Sequence, residues 1–359
     1  MKRVGMLTSG GDCQGLNAAL HGVAKALFEC YDEEELEIYG IQDGYRGLIN
    51  GEYRMMKRED FSGILCRGGT ILGTSRQPFK LMRVVDENSV DKVQAMKENY
   101  KKMKLDCLVI LGGNGTHKTA NLLCGEGLNV VTLPKTIDND IWGTDMTFGF
   151  QSAVDIATNV LDCIHTTATS HGRVFIVELM GHKAGWLTLH AGIAGGADVI
   201  LIPEIPYTIA SVCKALRKRN KMGKRFSILA VAEGAISKED AGLTKKELKA
   251  KRAAMPYPAI SYKIAKELEE ATGQEIRVTV PGHFQRGGSP CSYDRTLSTR
   301  FGAAAAQLIV QKQYGNMVAL RNGEIVPVPL SEVAGKLKTV PKDHSVVQAA
   351  REIGVCFGD

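Results

Sequence analysis

The chain has 359 residues, 44% of them hydrophobic and 23% charged, with a formal net charge of +6. That length is enough for two domains with a buried core, and the composition excludes disordered, collagenous and disulfide-stapled classes. No apolar run reaches membrane-spanning length, and the basic runs Arg217–Arg219 and Lys249–Arg252 lack interleaved aromatics, so neither membrane nor nucleic acid is expected as a partner.

Nine cysteines, an odd number with no Cys-x-x-Cys pair, predict reduced thiols in a cytoplasmic protein. The N-terminal apolar stretch Val4–Leu7 is too short for a signal peptide. It reads instead as a strand feeding the turn Ser9-Gly10-Gly11-Asp12, with a helix from about Asn17. Glu37–Gln42, Cys107–Leu111 and Asn129–Leu133 read as further strands, separated by amphipathic stretches, and a long helix is predicted over Gln151–Thr169. The alternation then restarts with strands over Arg173–Met180, Asp198–Pro203, Phe226–Ala232 and Ile276–Val280. Val318–Val326 has the pattern of a hairpin turning on Asn322-Gly323. Such alternation predicts an α/β fold: two similar doubly wound three-layer (αβα) domains with mainly parallel sheets, and the active site in the cleft between them. One domain is expected over 1–149 plus about 286–335, the other over 150–285 plus a C-terminal helical segment.

Two segments point to chemistry. Leu111-Gly112-Gly113-Asn114-Gly115-Thr116 closes an apolar strand. Glycines let backbone N–H groups approach a phosphate, and a helix starting there adds the positive end of its dipole. Pro134-Lys135-Thr136-Ile137-Asp138-Asn139-Asp140 closes the next strand with two carboxylates flanking an amide. If that segment is extended, alternate residues point the same way and bring Asp138 and Asp140 to one pocket, as general base and metal ligand. An Asx-stabilised turn is the alternative. A phosphate cradle beside two carboxylates is the equipment of phosphoryl transfer. Gly10-Gly11-Asp12 is either a second phosphate loop or an ordinary βα turn. Arg76 ends the glycine-rich run from Gly68 and suits bidentate capture of a phosphate. Met180-Gly181-His182, Glu233 and Pro281–Pro290 also follow strands. Arg173, Arg277, His283 and Arg286 are expected to gather around strand ends, which suits a phosphorylated sugar.

Together these segments resemble the 6-phosphofructokinase family, whose motifs appear here in the family's order from Gly10 to Arg295. The resemblance implies ATP-dependent phosphorylation of fructose 6-phosphate at O1, with pyrophosphate as the alternative donor. It assigns the first domain to the phosphoryl donor and the second to the sugar phosphate. Asp138 would take the proton of the 1-hydroxyl, with Lys135, Thr136, Asp140 and Arg173 completing the catalytic set. Gly11, Arg76 and Gly112, Gly113, Asn114, Gly115 and Thr116 would hold the donor. Asn114, Asp138 and Asp140 would hold Mg²⁺. Thr136, Asp138, Arg173, Met180, Gly181, His182, Glu233, Arg277, His283 and Arg286 would contact the sugar phosphate. Arg173 and Arg277 would reach in from a neighbouring subunit, which implies a homotetramer.

Three features depart from the common pattern of that family: the donor-site pair Gly115 and Lys135, Asn114, and the effector-pocket positions. Gly115 replaces the Asp of pyrophosphate users and leaves room for a nucleotide, whereas Lys135 is the residue those users carry. A steric block outweighs an added attraction, which favours ATP. Asn114 stands where ATP users carry Asp, and so has less charge for Mg²⁺. At positions matching the bacterial effector pocket stand His21, Lys25, His165, Asp198, Met222 and Lys224, too few arginines for strong phosphate capture. Little control by ADP or phosphoenolpyruvate is therefore expected. The Gly-Gly-Asn-Gly-Thr segment alone also fits NAD kinases and diacylglycerol kinases, but Gly282–Pro290 and Met180-Gly181 do not. A binding subunit without turnover is the non-enzymatic alternative.

Overall fold

The computed structural model describes residues 1–84 and 91–359. In chain order its strands are β1 (Lys2–Ser9), β2 (Leu36–Ile41), β3 (Tyr53–Met56), β4 (Cys107–Gly112), β5 (Val130–Pro134) and β6 (Val174–Leu179). The rest are β7 (Val199–Leu201), β8 (Ser227–Ala232), β9 (Ile276–Thr279), β10 (Asn316–Arg321) and β11 (Glu324–Pro329). The chain divides into two compact units, one of 1–152 and 286–338, the other of 153–285 and 339–359.

The first unit is built on a seven-stranded sheet of order β11-β10-β5-β4-β1-β2-β3. Strands β10, β5, β4, β1 and β2 run parallel, and β3 and β11 are antiparallel edges. Every residue of β4 and β5 is buried, as the continuous apolar runs demand of strands covered on both faces. On one face the core joins Leu108 and Ile110 to Met96 and Leu123 from the helices Lys92–Lys102 and Asn114–Gly125. The helices Leu16–Cys30 and Ser292–Val310 pack against each other. The β10–β11 hairpin turns on Asn322 (φ 51°) and Gly323 (φ 86°), the pair of positive φ values that a two-residue loop needs to follow strand twist.

Sheet order fixes where a ligand can sit. The chain leaves β1 towards β2 on one side, while β4 lies on the other, so the carboxyl ends of β1 and β4 form a topological switch point. In register, Ser9 faces Gly112 and Gly112 faces Pro134. The three loops that follow these residues therefore start side by side.

The second unit has an all-parallel sheet of order β7-β8-β6-β9. Its core gathers Ile176, Leu229 and Val231 with Val212, Leu216 and Leu268 from flanking helices. Leu179 pairs with Ala232, so Met180 and Glu233 leave the sheet together. Among the described residues no helix is long and apolar enough to cross a membrane, and all nine cysteines are free thiols.

Candidate active site

The turn after β1 is stitched to the glycine-rich loop that ends in Arg76. Gly10 N–H donates to Ser75 O (3.0 Å), and Thr74 Oγ1 donates to Gly10 O (2.7 Å). Asn17, fully buried, braces the base of that loop: its Nδ2 donates to Arg67 O (3.0 Å) and its Oδ1 accepts from Ile71 N–H (2.8 Å). Arg76 follows directly, exposed beside the β1 turn.

Gly11 is glycine for a steric reason. A Cβ there would stand 2.3 Å from Arg286 Nη1, and the same Nη1 donates to Asp12 O (3.0 Å). The Arg286 guanidinium thus lies flat on the β1 turn. Sequence reading assigned it to the sugar phosphate, and its observed position sets its charge beside Gly11 and Asp12.

The helix Asn114–Gly125 starts at the carboxyl end of β4 with Gly113 as its N-cap, no capping side chain and no acidic residue in its first turn. Such an end offers N–H groups and a positive dipole to an anion. Gly115 is exposed, and a Cβ on it would meet no atom within 4 Å. Thr116 is buried, with Oγ1 3.4 Å from Ser9 O. One turn in, His117 is fully buried with Nδ1 2.9 Å from Gly113 O, and burial pushes its pKa down to about 4.

Lys135 ties the two glycine loops together. It is 4% exposed, and its Nζ donates to Gly11 O at 2.5 Å. The same Nζ would lie 3.7 Å from a Cβ on Gly10 and 4.0 Å from one on Gly113. Burial pulls its pKa below the usual lysine value, while the nearby charges of Asp138 and Asp140 oppose that fall. A cation beneath both loops, with two carboxylates close by, is an arrangement for an anionic group in transfer.

The segment that carries those carboxylates is not extended. Residues 137–138 form a turn, and Asn139 is left-handed at φ 49°. The period-two argument for Asp138 and Asp140 therefore fails, because the chain reverses where alternation would have to continue. What holds them is side-chain bonding. Thr136 Oγ1 accepts from Asp138 N–H (3.1 Å), and Asn139 Oδ1 accepts from Thr147 N–H (3.1 Å) and Lys338 Nζ (2.9 Å). Asp140, 5% exposed, faces Asn114, whose Nδ2 lies 3.1 Å from Asp140 O and 3.3 Å from its Oδ2. That leaves Asn114 Oδ1 as a buried acceptor with no hydrogen-bond partner among the described residues. Asp138 is half-exposed at the open side of the turn.

In the second unit, Met180 N–H donates to Gln285 Oε1 (3.1 Å), and His182 N–H donates to Glu233 Oε1 (2.7 Å). Gly181 (φ 140°) and His182 (φ 51°) turn sharply between these anchors. His283 is exposed in the short helix Gly282–Arg286 that follows β9. Arg173 and Arg277 do not join this group. They belong to the amino ends of β6 and β9, where both pair with Glu275, Arg173 Nε at 2.8 Å from its Oε2. The six residues of β6 put roughly 20 Å between Arg173 and Met180. The expected gathering of four cationic residues around one set of strand ends is thus absent within this chain, because parallel strands put residues before and after them on opposite edges of the sheet.

Residues 3–309 match the family model described as Phosphofructokinase. This chain belongs to the phosphofructokinase family. The ATP-dependent 6-phosphofructokinase of Spirochaeta thermophila is 59% identical over 358 residues, covering 99% of this chain and 97% of that protein. Phosphofructokinase from Saccharomyces cerevisiae superposes with a TM-score of 0.78 at 30% identity over 93% of this chain, which spans 45% of the yeast chain. A pyrophosphate-dependent phosphofructokinase from Nitrosospira multiformis gives 0.80 at 19% identity, covering 100% of this chain and 93% of that one, a likeness of fold alone.

Of the positions matching the effector pocket of bacterial phosphofructokinases, Asp198 is paired with Arg219 (2.6 Å) and His165 Nε2 sits 2.8 Å from Gly195 O. Met222 is 66% exposed. Three supporting residues escaped sequence reading. Gln285, fully buried, orients Met180 from inside a motif that was noticed for its His and Arg. Glu204 accepts from Gly185 N–H (2.9 Å) and Val340 N–H (2.9 Å), and Lys338 grips the Asp138–Asp140 turn; neither lies in a motif.

Proposed function

We infer that this chain is an ATP-dependent 6-phosphofructokinase, a phosphotransferase of glycolysis that moves the γ-phosphoryl group of ATP to O1 of fructose 6-phosphate. The observation that carries the donor is Gly115, exposed at the first turn of the helix after β4 with open space where a side chain would project. That space leaves room for a nucleotide, and the near-full-length relative named as ATP-dependent supports the same reading. Lys135, the feature that suggested pyrophosphate, is engaged beneath the loops on Gly11 O and does not obstruct the nucleotide.

In this reading the first unit binds the donor and the second binds the sugar phosphate. Gly11, Arg76 and the segment Gly112–Thr116 hold the phosphates, and Lys135 and Arg286 supply cationic charge below and beside them. Asp138 accepts the proton of the 1-hydroxyl as O1 attacks the γ-phosphorus. The O1–P bond forms, the bond from phosphorus to the β,γ-bridging oxygen breaks, and ADP leaves with that electron pair. Thr136 orients Asp138 through its backbone N–H. Met180, Gly181, His182, Glu233 and His283 position the sugar.

The residues present fit Mg²⁺. The ion favours one or two carboxylates completed by waters and substrate phosphates, and Asp138, Asp140 and the unpartnered Asn114 Oδ1 make such a set. Bound there with ATP, Mg²⁺ would neutralise charge on the transferring group. The Asn114 amide also does what a carboxylate cannot: it donates to Asp140 instead of repelling it. Arg173 and Arg277, held on Glu275 at the far edge of the sheet, support an assembly in which they serve a neighbour's sugar phosphate, a homotetramer. Nine free thiols support a cytoplasmic setting.

The test is Asp138→Asn. Loss of the base should lower kcat by about a thousandfold with KM for both substrates within about threefold. A kcat close to that of the parent would remove Asp138 from this role.

A further inference from the structure

The reversal between the two carboxylates is held from behind by a lysine almost two hundred residues away in sequence. We propose that Lys338 is a positioning residue, which fixes Asp138 and Asp140 for catalysis without touching either substrate. This rests on the reading of Asp138 as the base.

Asn139 is left-handed, a conformation that asparagine adopts more readily than other residues with a Cβ, and its surroundings fix it there. The enforcing contacts converge on Lys338. Its three ammonium protons meet three acceptors: Asn139 Oδ1 (2.9 Å), Thr144 O (2.9 Å) and Asp145 O (2.8 Å). Its backbone N–H donates to Asp140 O (2.9 Å), beside the bridge between Ile141 and Leu337. One residue therefore grips the amide between the carboxylates and the carbonyl of the second. Burial pulls the Lys338 pKa down to about 8, and the charges of Asp145 and Asp140 oppose that fall.

The other partner of Asn139 Oδ1 is Thr147, whose Oγ1 donates to Thr136 O (2.7 Å). The grip thus extends to the residue whose hydroxyl orients Asp138. Lys338 also borders a pocket of about 320 Å³, open to solvent, shared with Trp142, Thr144 and Arg321. Water in that pocket can reach the oxygens that a changed side chain leaves unpaired, so variants at this position are expected to fold.

Displacement of a reacting group by about 1 Å costs on the order of a hundredfold in rate. The experiment compares Lys338→Met, Lys338→Arg and Asp138→Asn with the parent, measuring kcat, KM for both substrates and thermal midpoint. Lys338→Met should lose about a hundredfold in kcat with each KM within threefold, at assay temperatures well below its melting point. Lys338→Arg, which keeps a charged fork of donors, should recover most of that loss. A Lys338→Met enzyme within threefold of the parent kcat, or one whose loss only tracks its unfolded fraction, overturns the proposal. So does a Lys338→Arg enzyme no better than Lys338→Met. Should Lys338→Met unfold, Lys338→Gln carries the same comparison, with two donors on a shorter stem and no charge. Asp138→Asn separates the two claims: if it stays active, the base assignment fails; if it is dead while Lys338→Met is active, only the positioning role fails.

Discussion

Replacing Gly115 with Asp should separate donor binding from stability. The position is exposed, lies in the first turn of the helix Asn114–Gly125, and offers a Cβ no neighbour within 4 Å. Folding should therefore tolerate the change. A carboxylate near a helix N-terminus contributes about 0.3–1 kcal/mol, and Asp has a slightly better helix propensity than Gly. Binding of ATP should suffer for the same electrostatic reason. Two like charges about 5 Å apart at an effective dielectric near 20 repel by about 3 kcal/mol, roughly two orders of magnitude in kcat/KM for ATP. The assay is initial rate against ATP at saturating fructose 6-phosphate, beside a thermal melt. An unchanged or higher Tm with a hundredfold loss for ATP is expected. A kcat/KM within threefold of the parent, or a loss that follows a lowered Tm, would refute the reasoning.

Two other perturbations follow from the geometry. Arg173→Ala and Glu233→Gln chains, each nearly inactive alone, should regain about one quarter of parental activity when co-expressed, because random mixing leaves that share of shared sites with both groups intact. Activity no greater than the sum of the two alone would place Arg173 outside a shared site. His117 should make stability depend on acidity. Its folded pKa of about 4 lies below the ordinary 6.5, so between these values the unfolded chain takes up a proton that the folded chain refuses. Stability attributable to His117 is full above pH 6.5 and falls by roughly 3 kcal/mol as pH drops to 4. Urea unfolding at pH 7 and pH 4.5 should show a smaller decline for His117→Asn than for the parent, and equal declines would contradict the burial argument.

Elements with a strong local signature were legible from sequence. The fully buried β4 and β5 announce themselves as apolar runs, and Asn322-Gly323 specifies its own turn. The helix expected over Gln151–Thr169 spans Phe150–His171. The glycine-rich turns after β1 and β4 were legible as breaks between a buried strand and a helix, as the observed elements show. What escaped depends on partners distant in sequence. At Asp138–Asp140 the turn was the alternative that the sequence offered, and the partners that fix its geometry, Thr147 and Lys338 on Asn139, were not legible. Lys338 itself sits in an unremarkable stretch, Gly335–Thr339, and gains meaning only from the three oxygens around its ammonium. Arg173 and Arg277 were grouped with His283 and Arg286 around strand ends, but they lie at the amino ends of β6 and β9. Which end of the strand each occupies, and hence their distance from Met180 and Glu233, is set by parallel sheet registration.

The central claim is the donor and acceptor of the transfer. Initial rates on fructose 6-phosphate with Mg²⁺, measured separately with ATP and with pyrophosphate, test it directly. The account predicts fructose 1,6-bisphosphate formation with ATP and none with pyrophosphate. Turnover with pyrophosphate alone would show that the buried charge of Lys135 governs the donor and that open space at Gly115 does not.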